Sequence, residues 1–148
     1  MEKDIIEVIK SLGEFMSIGG AEASKIAQAS EILGVEFAED FKKYTQTFGA
    51  IRIDDIDLCG VVDYDAISTV ALTQEMRDFS DFPMDCYVIE SLGIDDIVCV
   101  QKSDGKVYQY APDSELELIA DSLGEYLLSE NDIRNERSNY WKESAKDL

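Results

Sequence analysis

The chain has 148 residues, of which 45% are hydrophobic and 30% charged, so a single domain of this length can bury a core without metals or disulfides. Its 32 acidic and 13 basic residues give a formal net charge of −19, and a surface of that sign repels nucleic acid and anionic lipids. The composition therefore argues against direct binding to nucleic acid or to a membrane, and no apolar run approaches the length that crosses a bilayer.

The first third of the chain is predicted to be helical. Residues 2–12 place apolar side chains among charges, which indicates a short amphipathic helix that docks on the body of the domain. After a break at Gly19-Gly20, residues 21–33 repeat the pattern, and Gly34 ends that second helix. The N-terminus has acids where a secretory signal has basic and apolar residues, so the sequence predicts a cytoplasmic protein.

A row of four aromatic residues dominates the next helix. They are spaced four, three and four apart, which puts all four rings on one stripe of an α-helix and favours a core position over a ligand site. Gly49 ends this helix, and apolar and polar residues then alternate over 50–53 and 56–59, which predicts that a sheet begins there. The row consists of Phe37, Phe41, Tyr44 and Phe48.

Five aspartates and no basic residue occupy the stretch from Asp54 to Asp65. Three of them fall in the first turn region of the sheet, and Asp63 and Asp65 flank Tyr64 just before another helix. We expect Asp65 to cap the N-terminus of that helix, because a side-chain carboxylate accepts hydrogen bonds from the first free amides. The helix is predicted to run to about Phe79. Its predicted inner face consists of Ile67, Val70, Ala71 and Gln74.

The remainder of the chain is predicted to be a meander of strands followed by a helix. Three runs are rich in residues that favour strands. Ser122 and Glu125 have the spacing of a capping box, which opens the C-terminal helix. Residues 129–148 are polar and charged, and we expect a polar C-terminal helix or a loosely held tail there. The three runs are 86–92, 97–101 and 116–120.

Asp104-Gly105 predicts a hairpin between the second and third strands of the meander. This dipeptide can supply the two positive φ angles of a type I′ turn, whose twist matches the flanking strands. A two-residue loop sets the register, so we expect Cys99 to face Tyr110 and, on the same ladder, Gln101 to face Tyr108.

Five segments stand out in a fixed order along the chain. They are Gly34 with the helix ending Tyr44-Thr45-Gln46-Thr47-Phe48-Gly49-Ala50, then Thr73-Gln74-Glu75-Met76-Arg77, Cys86-Tyr87-Val88-Ile89-Glu90, the Asp104-Gly105 hairpin, and Asp121-Ser122-Leu123-Gly124-Glu125-Tyr126-Leu127. Together, in this order, they resemble the SUKH superfamily. The resemblance covers about residues 22 to 128 and departs from the superfamily at Phe37-Ala38, where Leu-Pro is common.

The residue types present limit the chemistry that the chain can perform. It contains no histidine, which removes the usual general base near neutral pH, the His-dependent triads and the commonest zinc ligand. Cys59, Cys86 and Cys99 are 27 and 13 residues apart, not in CxxC pairs, and their strand-like apolar contexts predict reduced, buried thiols. The chain also lacks phosphate-binding glycine motifs and EF-hand loops. We therefore predict a protein that is not an enzyme and holds no cofactor.

The aspartates are the one constellation that suggests a site. Oxygen-rich turns can hold Mg²⁺ or Ca²⁺, and turn carboxylates can equally be solvated caps. We favour a third hypothesis, in which the acids pair with the Lys and Arg of a protein partner and Tyr64 and Phe82 add aromatic contact. The alternative for the two rings is that both pack inward. The predicted partner-binding residues are Asp54, Asp55, Asp57, Asp63, Tyr64, Asp65, Asp95 and Asp96.

The resemblance implies both a fold and a function. It implies a single α+β domain over residues 1–148, with a core at 22–128 and a central, mainly antiparallel sheet of five to six strands with helices packed on one side. The order of predicted helices and strands favours the same class. For function it implies a non-catalytic immunity protein that binds a cognate bacterial toxin, such as a basic nuclease, through an acidic surface. The alternative is a regulatory adaptor that binds a cellular protein, as fungal cell-wall-synthesis regulators do.

Overall fold

The computed structural model describes residues 4–54, 56–92, 96–112 and 114–130. Its helices are α1 (Ile5–Ser11), α2 (Ala23–Leu33), α3 (Glu39–Phe48), a 3₁₀ turn (Asp65–Ile67), α4 (Thr69–Phe79) and α5, which covers residues 123–130. Its strands are β1 (Met16–Ser17), β2 (Ile51–Ile53), β3 (Ile56–Leu58), β4 (Tyr87–Ser91), β5 (Val98–Gln101), β6 (Val107–Tyr110) and β7 (Glu117–Ala120).

The described strands form two antiparallel sheets. The first has the order β1-β2-β3 and the second the order β4-β5-β6-β7. The two meet where the chain leaves β3, since the Cys59 amide donates to the Ile89 carbonyl oxygen of β4 at 2.7 Å. The predicted α+β class is confirmed, and its strands are divided between two sheets.

The aromatic row lies at the centre of the main core. Three of its four rings are on α3 and are buried. Phe37 lies just before the helix but is buried as well, with its ring centroid 4.8 Å from that of Tyr87 on β4. The Tyr44 hydroxyl donates to the Leu58 carbonyl oxygen at 2.9 Å, which fixes α3 against β3. Helices and both sheets therefore share one core.

The helix α4 begins later than predicted and buries a different face. Its cap is Ser68, whose Oγ accepts the Ala71 amide at 3.1 Å, while Asp65 opens the 3₁₀ turn instead. The Thr73 hydroxyl accepts the Val88 amide at 2.9 Å, and this bond turns the Thr73 face of the helix toward β4. The buried side chains of α4 are Thr69, Thr73 and Met76.

The hairpin between β5 and β6 forms as predicted, but its register is shifted by one residue. Cys99 faces Gln109 and Gln101 faces Val107. The Lys102 amide donates to the Lys106 carbonyl oxygen at 3.1 Å, so the loop contains Ser103 in addition to Asp104-Gly105, and Gly105 has φ +95°. A turn of this length carries a glycine bulge, and that added residue displaces the pairing.

The predicted capping box opens α5. The Ser122 hydroxyl accepts the Glu125 amide at 3.1 Å, and the Glu125 carboxylate accepts the Asp121 amide, also at 3.1 Å. Of the predicted C-terminal helix or tail over 129–148, all but the first two residues lie outside the described part of the chain.

Within the described part of the chain, no helix combines the length and the apolarity that a membrane crossing requires.

Candidate functional site

An outward-facing row of side chains crosses the first sheet. Met16 of β1 lies opposite Arg52 of β2, and Arg52 lies opposite Asp57 of β3. The Arg52 guanidinium donates to the Asp57 carboxylate from both Nε and Nη2, at 2.5 and 2.8 Å. These hydrogen bonds lower the pKa of the Asp57 carboxyl below its ordinary value. One predicted partner-binding acid is thus already paired within its own sheet.

A groove lies between this row and the segment that leads into α4. We call it the acid-rimmed groove; its volume is about 430 Å³. Three apolar or aromatic side chains that line the groove are exposed to solvent: Met16 is 67% exposed, Ile18 45% and Tyr64 64%. Side chains of this size cost free energy when left in water, so such a concentration on one surface is typical of interaction sites. Its principal lining residues are Met16, Ile18, Arg52, Asp57, Tyr64 and Ile67.

Two neighbouring depressions continue the groove at its ends. One shares Met16 and Arg52 with it and extends to Asp54. The other shares Ile18 and Tyr64 with it and extends to Asp63. The structure therefore brings four of the predicted residues onto one continuous surface, although they are separated along the chain. These four are Asp54, Asp57, Asp63 and Tyr64.

The rim of the groove carries exposed carboxylates. Asp54 lies in the β2–β3 turn, and Asp65 opens the 3₁₀ turn, one residue from the groove wall. Asp63 is 3.5 Å from the Lys25 ammonium group, and both side chains are largely exposed. An exposed pair of this kind contributes little to stability, so its charges stay available for exchange with a partner.

The other predicted residues are not at this surface or lie outside the described residues. Asp96 is in the connection between β4 and β5, on the second sheet, in the left-handed region at φ 59°. Asp55 and Asp95 lie outside the described residues. The ring of Phe82 is buried against Tyr110 in a smaller core, with ring centroids 5.1 Å apart, so of the two candidate aromatics only Tyr64 faces solvent.

Glycines permit close backbone approaches between the segments that form the groove walls. An added Cβ on Gly20 would lie 2.0 Å from the Gln46 carbonyl oxygen, and one on Gly60 would lie 1.7 Å from that of Gly49. Only a residue without a side chain permits such approaches. These contacts bring the segment after β1, the end of α3 and the segment after β3 together, and so place Ile18 and Tyr64 on one surface.

Sequence reasoning missed Met16 and Ile18. The stretch between Gly13 and Gly20 resembles a break between helices, yet Met16 pairs with β2 and becomes part of a sheet edge. The available signal was an apolar pair flanked by glycines, with the alternation of a strand. Two residues of alternation are too short to distinguish a strand from a loop.

The groove offers apolar surface and carboxylates, and the cysteines lie in the core. Among the described residues, no three Cys, Asp or Glu side chains lie close enough together to hold a metal ion. All three cysteines are free and buried. Burial raises the pKa of each thiol to about 12, so the thiolate, which is the reactive form, is scarce at neutral pH. What the groove offers a ligand is apolar surface beside carboxylates.

Comparison with known proteins agrees with the fold. No curated protein matches the chain. The family model SUKH_5, described as SMI1-KNR4 cell-wall, matches residues 2–132. The match extends over most of the chain and includes every segment in which the sequence resembles the superfamily. The chain therefore belongs to the SMI1-KNR4 family of the SUKH superfamily.

Proposed function

We propose that this protein is a non-catalytic immunity protein of the cytoplasm, which binds and neutralises a cognate toxin through the acid-rimmed groove. Proteins of the SUKH superfamily include immunity proteins as well as regulators. The observation that carries the proposal is the exposure of Met16, Ile18 and Tyr64 on one surface of a chain with a net charge of −19.

The groove has the composition of an interface centre. Tyr, Met and Arg are enriched at the centres of protein interfaces, and all three line this groove. An exposed Tyr64 offers a large, rigid contact that a partner's pocket can desolvate, and one such anchor commonly contributes about 2 kcal/mol or more. The interface centre therefore supplies affinity.

The negative charge of the chain favours a basic partner. A nuclease must present a basic cleft to its substrate. The carboxylates of Asp54, Asp63 and Asp65 at the rim of the groove can pair with the Lys and Arg of that cleft in place of phosphates. A net charge of −19 also accelerates encounter with a basic protein at low ionic strength. We therefore expect a basic toxin and an association rate that falls as salt is added.

The test is an affinity capture of the tagged protein from its own cells, followed by a binding measurement with the purified partner. We expect a toxin-like partner whose affinity falls at least tenfold on Tyr64→Ala, since an interface anchor is lost. Asp54→Asn with Asp65→Asn should mainly slow association, because rim charges act on encounter.

Matched controls lie on α4, away from the groove. Phe79→Ala removes an aromatic ring that is 62% exposed, about as much as Tyr64, and Glu75→Gln with Asp78→Asn removes two exposed acids. These variants should bind as the parent does. Equal losses in both sets would show that composition rather than the groove determines binding and would contradict the proposal.

A regulatory adaptor is the second candidate, favoured by the description of the matched family, which refers to the cell wall. Both functions require binding without turnover, and they differ in the partner. Capture of a cell-wall-synthesis component that depends on Tyr64, with no toxin recovered, would establish the adaptor and exclude immunity.

A further inference from the structure

The strand β7 ends the second sheet on the side away from the first. In the order β4-β5-β6-β7 its one neighbouring strand is β6, whereas the opposite side of the sheet, at β4, is joined to the end of β3 through Cys59 and Ile89. No described residue hydrogen-bonds to the outer side of β7 beyond its pairing with β6. The backbone amides and carbonyls along that outer side are a template for another strand.

Burial decreases from β5 through β6 to β7. All four residues of β5 are buried, whereas on β7 the first three residues are exposed and the fourth is half-buried. Two exposed side chains are large and apolar, Leu118 at 51% and Ile119 at 36%. They point to opposite faces of the sheet, because they are neighbours on one strand. Proteins commonly protect an open edge with lysine or proline, and β7 has neither.

The chain segment that contains β7 carries charges of a single sign. Glu115, Glu117 and Asp121 are all exposed, and the segment from Glu115 to Asp121 contains no Lys or Arg. We propose that β7 is a second binding edge, which takes up an extended, basic segment of a protein partner as an added strand. Backbone hydrogen bonds would hold the segment, the acids would select Lys or Arg, and Leu118 and Ile119 would each be covered on its own face.

The same charges argue against a second copy of this chain as the occupant. Two β7 strands paired across a two-fold axis would bring Glu115, Glu117 and Asp121 of one copy close to those of the other. Like charges on neighbouring strands destabilise a sheet. A basic strand removes that repulsion and gains attraction in its place.

The test uses the full chain and short synthetic peptides of defined chemistry. One peptide alternates Lys with Val, a second has Glu in place of Lys, and a third is the Lys peptide with alternate backbone nitrogens methylated. Methylation keeps the charge but removes the donors that a ladder needs. Amide exchange and amide chemical shifts are followed for residues 117–120 at peptide concentrations up to about 1 mM. Leu118→Lys serves as the blocking variant, and Tyr64→Ala controls for binding at the groove.

Added protection of amides 117–120 by the unmethylated Lys peptide alone, lost in Leu118→Lys and kept in Tyr64→Ala, would support the binding edge. Equal binding of the methylated peptide would show that charge suffices and would overturn strand addition. So would shifts confined to the groove, no binding of any peptide, or amides 117–120 that are fully protected in the free chain. None of these outcomes bears on immunity, which depends on the groove.

Discussion

Gly60 sits where the chain leaves β3 and crosses the backbone of Gly49, and an alanine Cβ there would lie 1.7 Å from the Gly49 carbonyl oxygen. The obstacle is backbone, which cannot rotate away as a side chain can. Gly49 is itself buried and has φ +75°, so its neighbours hold it in place. The position of Tyr64 relative to Ile18 depends on this contact.

Gly60→Ala should therefore reduce the free energy of unfolding by about 3 kcal/mol or more, the upper part of the range for overpacked sites. The urea midpoint, measured with the slope of the transition, checks this. Gly124→Ala is the matched control. Gly124 lies within α5, and an added Cβ there would be 3.5 Å from the nearest atom, Cγ2 of Val8 on α1. We expect that variant to be as stable as the parent or slightly more stable. A similar loss in both would show that the contact at Gly60 is not the cause.

Residues with similar sequence contexts can have opposite environments. Tyr64 lies between Asp63 and Asp65, and Phe82 follows Asp81, so each ring has an acidic neighbour in a loop. Tyr64 is 64% exposed and Phe82 is 5% exposed, because only Phe82 meets a second ring, that of Tyr110. Local sequence does not contain that partner, so the sequence makes both rings candidates and does not show which one faces solvent.

At the scale of elements, one carboxylate links three of them. Asp40, in the first turn of α3, accepts Gln101 Nε2 of β5 at Oδ1, at 3.0 Å, and the Leu123 amide of α5 at Oδ2, at 2.9 Å. Gln101 is fully buried, and its Oε1 accepts the Tyr87 hydroxyl at 2.7 Å. The main core is therefore held at this corner by hydrogen bonds as well as by apolar contact.

Asp40→Asn should lower the free energy of unfolding by about 1–3 kcal/mol, because the amide keeps one acceptor and turns a donor toward a donor. Chemical denaturation measures the loss, and faster amide exchange at the start of α5 should accompany it. Glu39→Gln removes a charge from the same helix turn, where the exposed Glu39 carboxylate pairs with Lys42. If that control loses as much stability, the helix dipole explains the effect and the link between elements does not.

Element boundaries show what periodicity can and cannot predict. The buried faces of α2 and α3 follow from apolar spacing, and Gly34 ends α2 with φ 66° as expected. The face of α4 does not, because Thr73, whose hydroxyl accepts the Val88 amide of β4, takes the interior position that apolar spacing assigns to Ile67 and Val70. A buried polar side chain with a partner is invisible to a pattern of apolar residues.

At the scale of the whole molecule, the core contains groups that ionise in alkaline solution. Burial raises the pKa of Cys59, Cys86 and Cys99 to about 12, from a value near 9 for a free thiol. It also raises the pKa of Tyr44 and Tyr126. The folded-state pKa values of the thiols exceed the unfolded ones. Their contribution to the free energy of unfolding is therefore fully present below pH 9 and is lost as the pH rises toward 12.

The free energy of unfolding should thus be nearly constant from neutral pH to about 9 and then fall, by up to about 1.4 kcal/mol per pH unit for each buried thiol. Urea midpoints measured across this range check the prediction. Cys86→Ala should make the alkaline slope shallower by about one proton, whatever its effect on stability at neutral pH. A midpoint that does not change up to about pH 11 would contradict the assignment of these thiols to the core.

By itself the sequence determined the α+β class, the aromatic core of α3, the buried thiols, the acidic charge and the family resemblance, because each depends on composition or on spacing within one element. Only the tertiary structure decided which acids are paired, as Asp57 is with Arg52, and which ring faces solvent. It also joined Met16 and Ile18 to Tyr64, nearly fifty residues away, through glycine contacts that periodicity does not encode. A surface is defined by what packs beneath it, and those partners lie far along the chain.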